Sequence, residues 1–167
     1  TAIEMANLLA KPAAILMPSR RKSRERALQV LFQCDLRKIG VEESLRHFYH
    51  SLYSPDDFPE DRLPRDRFLE ELTRGALDRL PAIDEKISAH SQHWRLERMP
   101  SVDRNILRLA IFELMQRALA PAVIIDEALE LARRYSGNDS VAFINGVLDA
   151  VNRSLDQPAE AQSAGGA

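Results

Sequence analysis

The sequence lacks several features that would point to particular classes of protein. Cys34 is the only cysteine among 167 residues, which excludes a disulfide within the chain and a zinc site built from cysteines. No apolar run approaches the roughly 20 residues that a membrane-spanning helix needs. Glycine occurs only 6 times and runs of β-branched residues are few, which argues against a β fold. We therefore expect an all-α protein of the reducing cytoplasm.

Patterns typical of catalysis and metal binding are also missing. The sequence contains no Gly-rich phosphate loop and no dinucleotide-binding fingerprint. His47 and His50 lie three residues apart on a predicted helix, but no second cluster of ligands follows them, so we interpret them as surface or half-buried residues. Cys34 lies on the apolar side of a predicted helix and is interpreted as a small buried hydrophobe. The sequence therefore predicts a binding protein that is not an enzyme and that has no cofactor and no metal.

Apolar residues at intervals of three and four predict about seven helices, in one domain or in two small subdomains that share a core. The predicted ranges are Ser19–Ile39, Val41–Tyr53, Arg65–Leu80, Pro81–Ser91, Ser101–Arg117, Pro121–Tyr135 and Ser140–Leu155. Ser101–Arg117 carries apolar residues around most of its circumference, so we expect flanking helices to pack around it. Gly146 lies inside the last predicted helix, where a close approach by another helix would explain it.

The predicted helix ends depend on capping residues. Pro18 and Ser19 form the entry to the first helix, and Gly40 is expected to end it. Ser101 and Ser140 are the expected N-caps of the central and last helices, because a serine hydroxyl accepts a hydrogen bond from an orphan backbone N–H.

The two ends of the sequence do not follow the helical pattern. Residues 1–18 are expected to form a flexible N-terminal extension, with Met17 as an alternative start. Residues 156–167 have the composition of a disordered tail. Residues 19–155 are then the predicted all-helical domain.

The charges are distributed unevenly along the chain. The net charge is −2, but residues 18–38 carry seven basic and two acidic side chains, so this segment is +5 and the remainder is −7. Most of these cations lie at the start of the first predicted helix, where each opposes the helix dipole by about 0.3–1 kcal/mol. The cluster is either a solvated helix end or the binding site of an anionic partner such as nucleic acid.

Three stretches together resemble the NusB family of bacterial transcription antitermination factors. They are SRRKSRERALQVLFQ (Ser19–Gln33), VDRNILRLAIFEL (Val102–Leu114) and PAVIIDEALELARRYSGNDSVAFINGVLDAV (Pro121–Val151). The segment from Val41 to Pro100 matches only in helical pattern and length. The resemblance implies an all-α fold, a compact bundle of about seven helices in two packed subdomains.

The resemblance also implies a function and a set of partners. It implies binding of the single-stranded boxA element of nascent ribosomal RNA transcripts, as a heterodimer with the small-subunit ribosomal protein NusE. That pair joins NusA, NusG and RNA polymerase so that transcription of ribosomal RNA passes terminators. A homodimer of the free protein is also compatible with the family.

The resemblance further assigns roles to particular residues. The residues that it places at the RNA are Arg20, Arg21, Lys22, Arg24, Asn138, Asp139 and Phe143. Asp139 would accept a hydrogen bond from a base amino group, or it is simply a helix-entry residue. Phe143 would stack on a base, or it belongs to the core. Asp103 aligns with an acidic position at the NusE interface, or it is a partner of the helix dipole.

Two other interpretations of the chain remain open at the level of sequence. The first is an RNA-targeting module related to the N-terminal domain of ribosomal RNA cytosine methyltransferases, which shares the fold. The second is a protein-interaction adaptor in which the basic helix end binds an acidic partner.

Overall fold

The computed structural model describes residues 18–59 and 62–157. Within those residues the chain forms seven α-helices and a short 3₁₀-helix at Leu96–Arg98, without any strand. The helices are α1 Arg20–Arg37, α2 Val41–Leu52, α3 Arg67–Asp78, α4 Leu80–His90, α5 Ser101–Gln116, α6 Pro121–Tyr135 and α7 Asn138–Asp156. The predicted all-α fold is confirmed. The expected extension up to residue 17 and the expected tail from residue 158 lie outside the described residues.

The chain divides into two compact units between Asp78 and Arg79. The first unit holds α1 to α3, and the second holds α4 to α7. Across the described part of the chain, none of the helices combines the length and the apolar character that crossing a membrane requires.

In the first unit, α1 packs against both α2 and α3. The apolar side of α1 that carries Cys34 is buried, and it consists of Ala27, Leu28, Leu31 and Cys34. Burial raises the pKa of the Cys34 thiol, which agrees with its interpretation as a small hydrophobe. Leu52 lies at the end of α2, where 42% of its surface is exposed.

In the second unit, α5 is the central helix. Every residue from Asn105 to Leu114 is buried, and α5 contacts α4, α6 and α7. The expectation that flanking helices surround this segment is therefore confirmed. One buried cation accompanies the apolar residues, since the Arg108 guanidinium donates to both carboxylate oxygens of Asp84 at 2.8 and 2.9 Å.

Two of the predicted caps are wrong. Gly40 does not end α1, because Lys38 already adopts the left-handed conformation with φ of 55° and terminates the helix, while Gly40 is the N-cap of α2. Ser101 lies inside α5 and Pro100 takes the N-cap position, and the Ser101 hydroxyl accepts from the Arg104 guanidinium at 3.2 Å. The Ser19 cap is confirmed, since its hydroxyl accepts from the Lys22 backbone N–H at 3.1 Å.

The start of α7 also differs from its prediction. The helix begins at Asn138 with Gly137 as its N-cap, so Ser140 is in its first turn and its hydroxyl donates to another helix instead. The expected close approach at Gly146 is wrong as well. A Cβ added there would meet nothing within 4 Å, and the residue lies on the exposed side of α7.

Candidate nucleic-acid interface

The start of α1 presents cations beside the positive end of a helix dipole. Arg20, Arg21 and Lys22 are exposed, and the first turn of α1 contains no acidic residue. The Lys22 ammonium pairs with the Glu25 carboxylate at 3.0 Å. The backbone N–H groups and the cationic side chains at this end of the helix therefore both favour the binding of an anion.

The aromatic ring of Phe68 on α3 supports this cluster. The Arg20 guanidinium lies 4.3 Å from the centroid of that ring, and the Arg24 guanidinium lies 5.2 Å from it. Arg24 is buried, with 5% of its surface exposed, so it offers a ligand far less surface than Arg20 and Arg21. The sequence analysis did not identify this role of Phe68, because helical spacing does not reveal which cation a ring contacts.

A buried carboxylate holds α1 against the beginning of α3. The Asp66 carboxylate accepts from the Ser23 hydroxyl at 2.9 Å and from the Arg26 guanidinium at 3.2 Å. It also accepts from the Leu69 backbone N–H at 3.0 Å, and the Tyr49 hydroxyl accepts from the Asp66 backbone N–H at 2.9 Å. This network positions the helix that carries the arginine cluster.

The second unit contains a pocket walled by two aromatic rings. We call it the aromatic pocket; its volume is about 330 Å³, and its lining residues are Trp94, Met99, Pro100, Asp103, Asp139, Ser140 and Phe143. The Trp94 and Phe143 ring centroids are 6.2 Å apart, and the ring planes are inclined at 48°. Phe143 is half-buried, so it is not a fully buried core residue. Trp94 lies between α4 and α5 and is 53% exposed, and the sequence analysis did not identify it as a site residue.

Asp103 ties the first turn of α5 to the start of α7. Its carboxylate accepts from the Ser140 hydroxyl at 2.6 Å and from the Ser136 hydroxyl. It is 4% exposed, so it does more than complement the dipole of its own helix. Asp103 thereby fixes the helix start that carries Asp139 and Phe143.

The residues predicted to contact RNA fall into two groups, one in each unit. Arg20, Arg21, Lys22 and Arg24 belong to the first unit, whereas Asn138, Asp139 and Phe143 belong to the second. Asn138 and Asp139 are the exposed first two residues of α7, and Asp139 and Phe143 line the aromatic pocket. Asp103, the residue predicted for the protein partner, lines this same pocket.

The described residues include no group of three or more His, Cys, Asp or Glu side chains suited to holding a metal ion. His47 and His50 are both exposed on α2.

Comparison with known proteins shows the family of the chain. The NusB family profile matches residues 21–153. The transcription antitermination protein NusB of Solibacter usitatus is 51% identical over 142 residues, which cover 85% of this chain and 94% of that protein.

Two solved structures share the fold. The structure of T. maritima NusB matches with a TM-score of 0.68 at 32% identity and covers 82% of this chain and 92% of that chain. A crystal structure of the antitermination factors NusB and NusE in complex with dsRNA matches with a TM-score of 0.68 at 25% identity, covering 81% of this chain and 96% of that chain. The fold and sequence thus define an all-helical antitermination factor. The chain belongs to the NusB family.

Proposed function

We propose that this protein promotes transcription antitermination by binding the single-stranded boxA element of nascent ribosomal RNA as a heterodimer with NusE in the cytoplasm. The observation that carries the proposal is the aromatic pocket, in which two accessible rings stand beside the carboxylate of Asp139. NusA, NusG and RNA polymerase are the expected partners of the larger complex. The free protein is either a monomer or a homodimer.

The chemistry of the aromatic pocket suits an unpaired base. A base that is not in a duplex can place its face on the Phe143 ring, a contact worth about 1–3 kcal/mol. Its edge is then available to the Asp139 carboxylate, which accepts hydrogen bonds from exocyclic amino groups. A base inside an A-form duplex offers neither its face nor its pairing edge, so the pocket favours a single strand.

The start of α1 suits the RNA backbone. Guanidinium and ammonium groups neutralise phosphates and release condensed counterions, which gives affinity without sequence preference. Arg20 and Arg21 supply this contact, and Arg20 is held over the Phe68 ring in a restricted set of conformations. Affinity then comes largely from α1, and preference for particular bases comes from the aromatic pocket.

The test is fluorescence anisotropy with a short boxA-like single-stranded RNA, a scrambled strand and a duplex of the same length, each with and without NusE. We expect the boxA strand to bind most tightly and NusE to strengthen that binding. Phe143→Leu should reduce the preference for boxA, while Leu119→Ala, at an exposed apolar position on the same unit, should leave it unchanged. Equal weak binding of all RNAs, unaffected by NusE, would favour the adaptor hypothesis.

The NusE contact has its own test at Asp103. Asp103→Asn keeps the shape of the side chain and one oxygen acceptor. One serine hydroxyl can still donate to that oxygen while the other accepts from the new NH₂ group, and the negative charge is removed. We expect weaker NusE binding with RNA affinity retained, because a cationic ribosomal protein responds to charge. Isothermal titration with NusE and anisotropy with RNA separate the two effects. An equal loss of both affinities would mean that Asp103 acts only by holding the start of α7.

A further inference from the structure

Trp94 separates the aromatic pocket from a second pocket on the connector between α4 and α5. The second pocket has a volume of about 580 Å³, and its wall includes Gln92, His93 and Arg95. Trp94 is the one residue that lines both pockets. We call this second cavity the connector pocket.

The connector holds Trp94 in a defined place. The Trp94 backbone N–H donates to the Ser91 carbonyl at 2.8 Å, and the Ser91 hydroxyl donates to the Trp94 carbonyl at 3.1 Å. Ser91 itself is buried, with 5% of its surface exposed. The Arg104 guanidinium donates to the carbonyls of Leu96 and Met99 at 2.9 and 3.2 Å, which fixes the following turn. Trp94 and Phe143 together place aromatic surface beside one pocket, and an accessible apolar patch of this kind is typical of a binding site.

The two aromatic rings form a V and not a parallel slot. Because their planes are inclined at 48°, one flat base cannot stack on both rings at once. Each ring therefore offers a separate platform. A strand whose base lies on Phe143 has its neighbouring nucleotide within reach of the Trp94 ring, which is 6.2 Å away, since successive bases along a strand are separated by a few ångströms.

We propose that Trp94 is a second stacking platform and that the connector pocket binds the nucleotide adjacent to the one on Phe143. The occupant is an unpaired nucleotide of the same RNA strand, so this inference rests on the proposed function. Its base stacks on the indole, and the Gln92 amide offers both a donor and an acceptor to the base edge. Arg95 and His93 lie on the same wall as Glu97, so the connector pocket contributes stacking and hydrogen bonds more than charge neutralisation.

The first measurement uses the fact that Trp94 is the only tryptophan in the sequence. Titration of the full chain with boxA-like RNA should quench its intrinsic fluorescence in parallel with the rise in RNA anisotropy. Trp94→Ala should weaken RNA binding about 5- to 150-fold, the range that corresponds to one stacked base, without changing the salt slope. Trp94→Phe should retain most of the affinity, and Leu119→Ala serves as the control for loss of an exposed apolar side chain.

Several outcomes would overturn the inference while leaving the proposed function intact. If the wild type prefers boxA over scrambled RNA but Trp94→Ala binds boxA equally well, Trp94 is not a platform, whether or not its fluorescence is quenched. Quenching by NusE alone, with no effect of RNA, would assign the ring to the protein partner. If instead the wild type does not prefer boxA at all, the proposed function itself fails.

Discussion

At the scale of single residues, the Asp66 network makes a clear prediction about stability. Asp66→Ala leaves the Ser23 hydroxyl, the Arg26 guanidinium and the Leu69 N–H without their buried acceptor. We expect the free energy of unfolding to fall by about 2–4 kcal/mol, since buried hydrogen bonds to a charged group are costly to leave unmade. Urea denaturation followed by circular dichroism measures this change. Asp57→Ala, at an exposed loop position, should change it by less than about 0.5 kcal/mol.

Glu70 is a second buried carboxylate with several donors. Burial raises the pKa of Glu70, but hydrogen bonds from Arg65, Tyr49 and Arg74 outweigh burial, so its pKa is lowered overall. The Arg65 guanidinium and the Tyr49 hydroxyl donate to one oxygen at 2.7 and 2.9 Å, and Arg74 donates to the other at 2.8 Å. These bonds are made to the ionised form, so Glu70 stabilises the fold only while it carries its charge.

This arrangement predicts a dependence of stability on pH. Because the folded pKa of Glu70 lies below its unfolded value, its contribution is fully present above the ordinary pKa of 4.5 and is lost as the pH falls through the folded pKa. Glu70→Gln should therefore destabilise the protein near neutral pH, and its deficit relative to the wild type should shrink in acid. Urea midpoints measured from about pH 3 to pH 7 test this expectation. A constant deficit would contradict it, and the exposed neighbour variant Glu71→Gln is the control.

At the scale of the helix, α7 contains a glycine that its environment does not require. A Cβ added at Gly146 meets nothing within 4 Å, and the residue lies in the helix interior with a negative φ. Gly146→Ala should raise the free energy of unfolding by about 0.5–1 kcal/mol, because alanine loses less backbone entropy on folding. Thermal and urea denaturation measure the gain. Gly137 has similar open space around it, but it is the N-cap of α7, a position where alanine is unfavourable. Gly137→Ala should therefore not raise the free energy of unfolding.

At the scale of the whole molecule, the unequal charge distribution governs how RNA binding responds to salt. Arg21→Ala should weaken binding of every RNA sequence similarly and lower the slope of log affinity against log salt by about one unit. Anisotropy at several salt concentrations measures that slope. Arg46→Ala removes an exposed cation from α2 and should leave the slope unchanged. If the slope for Arg21→Ala equals that of the wild type, the start of α1 is not part of the RNA interface.

Arg24→Ala is a less direct test of the same interface. Arg24 is buried against Phe68, so its removal also takes packing from the first unit. The loss of RNA affinity in this variant must therefore be compared with the change in its melting temperature.

Local patterns in the sequence were sufficient to predict the helical fold and the family. Helical periodicity identified α5 as a helix buried around most of its surface, and Pro121 marked the start of α6 correctly. The three stretches that resemble NusB lie in α1 and in the region from α5 to α7, and the family profile that matches residues 21–153 confirms the family. These features depend on residues close together in the chain, and backbone geometry relates such residues directly.

Only the tertiary structure decided which distant side chains meet. Ser140 looked like an N-cap, but packing of α5 against α7 directs its hydroxyl to Asp103. Trp94 lay in a connector without periodicity, and its place beside Phe143 follows from the packing of the second unit. Contacts of this kind depend on how helices pack, because side chains far apart in sequence become neighbours only after burial of the apolar faces has set the helix positions.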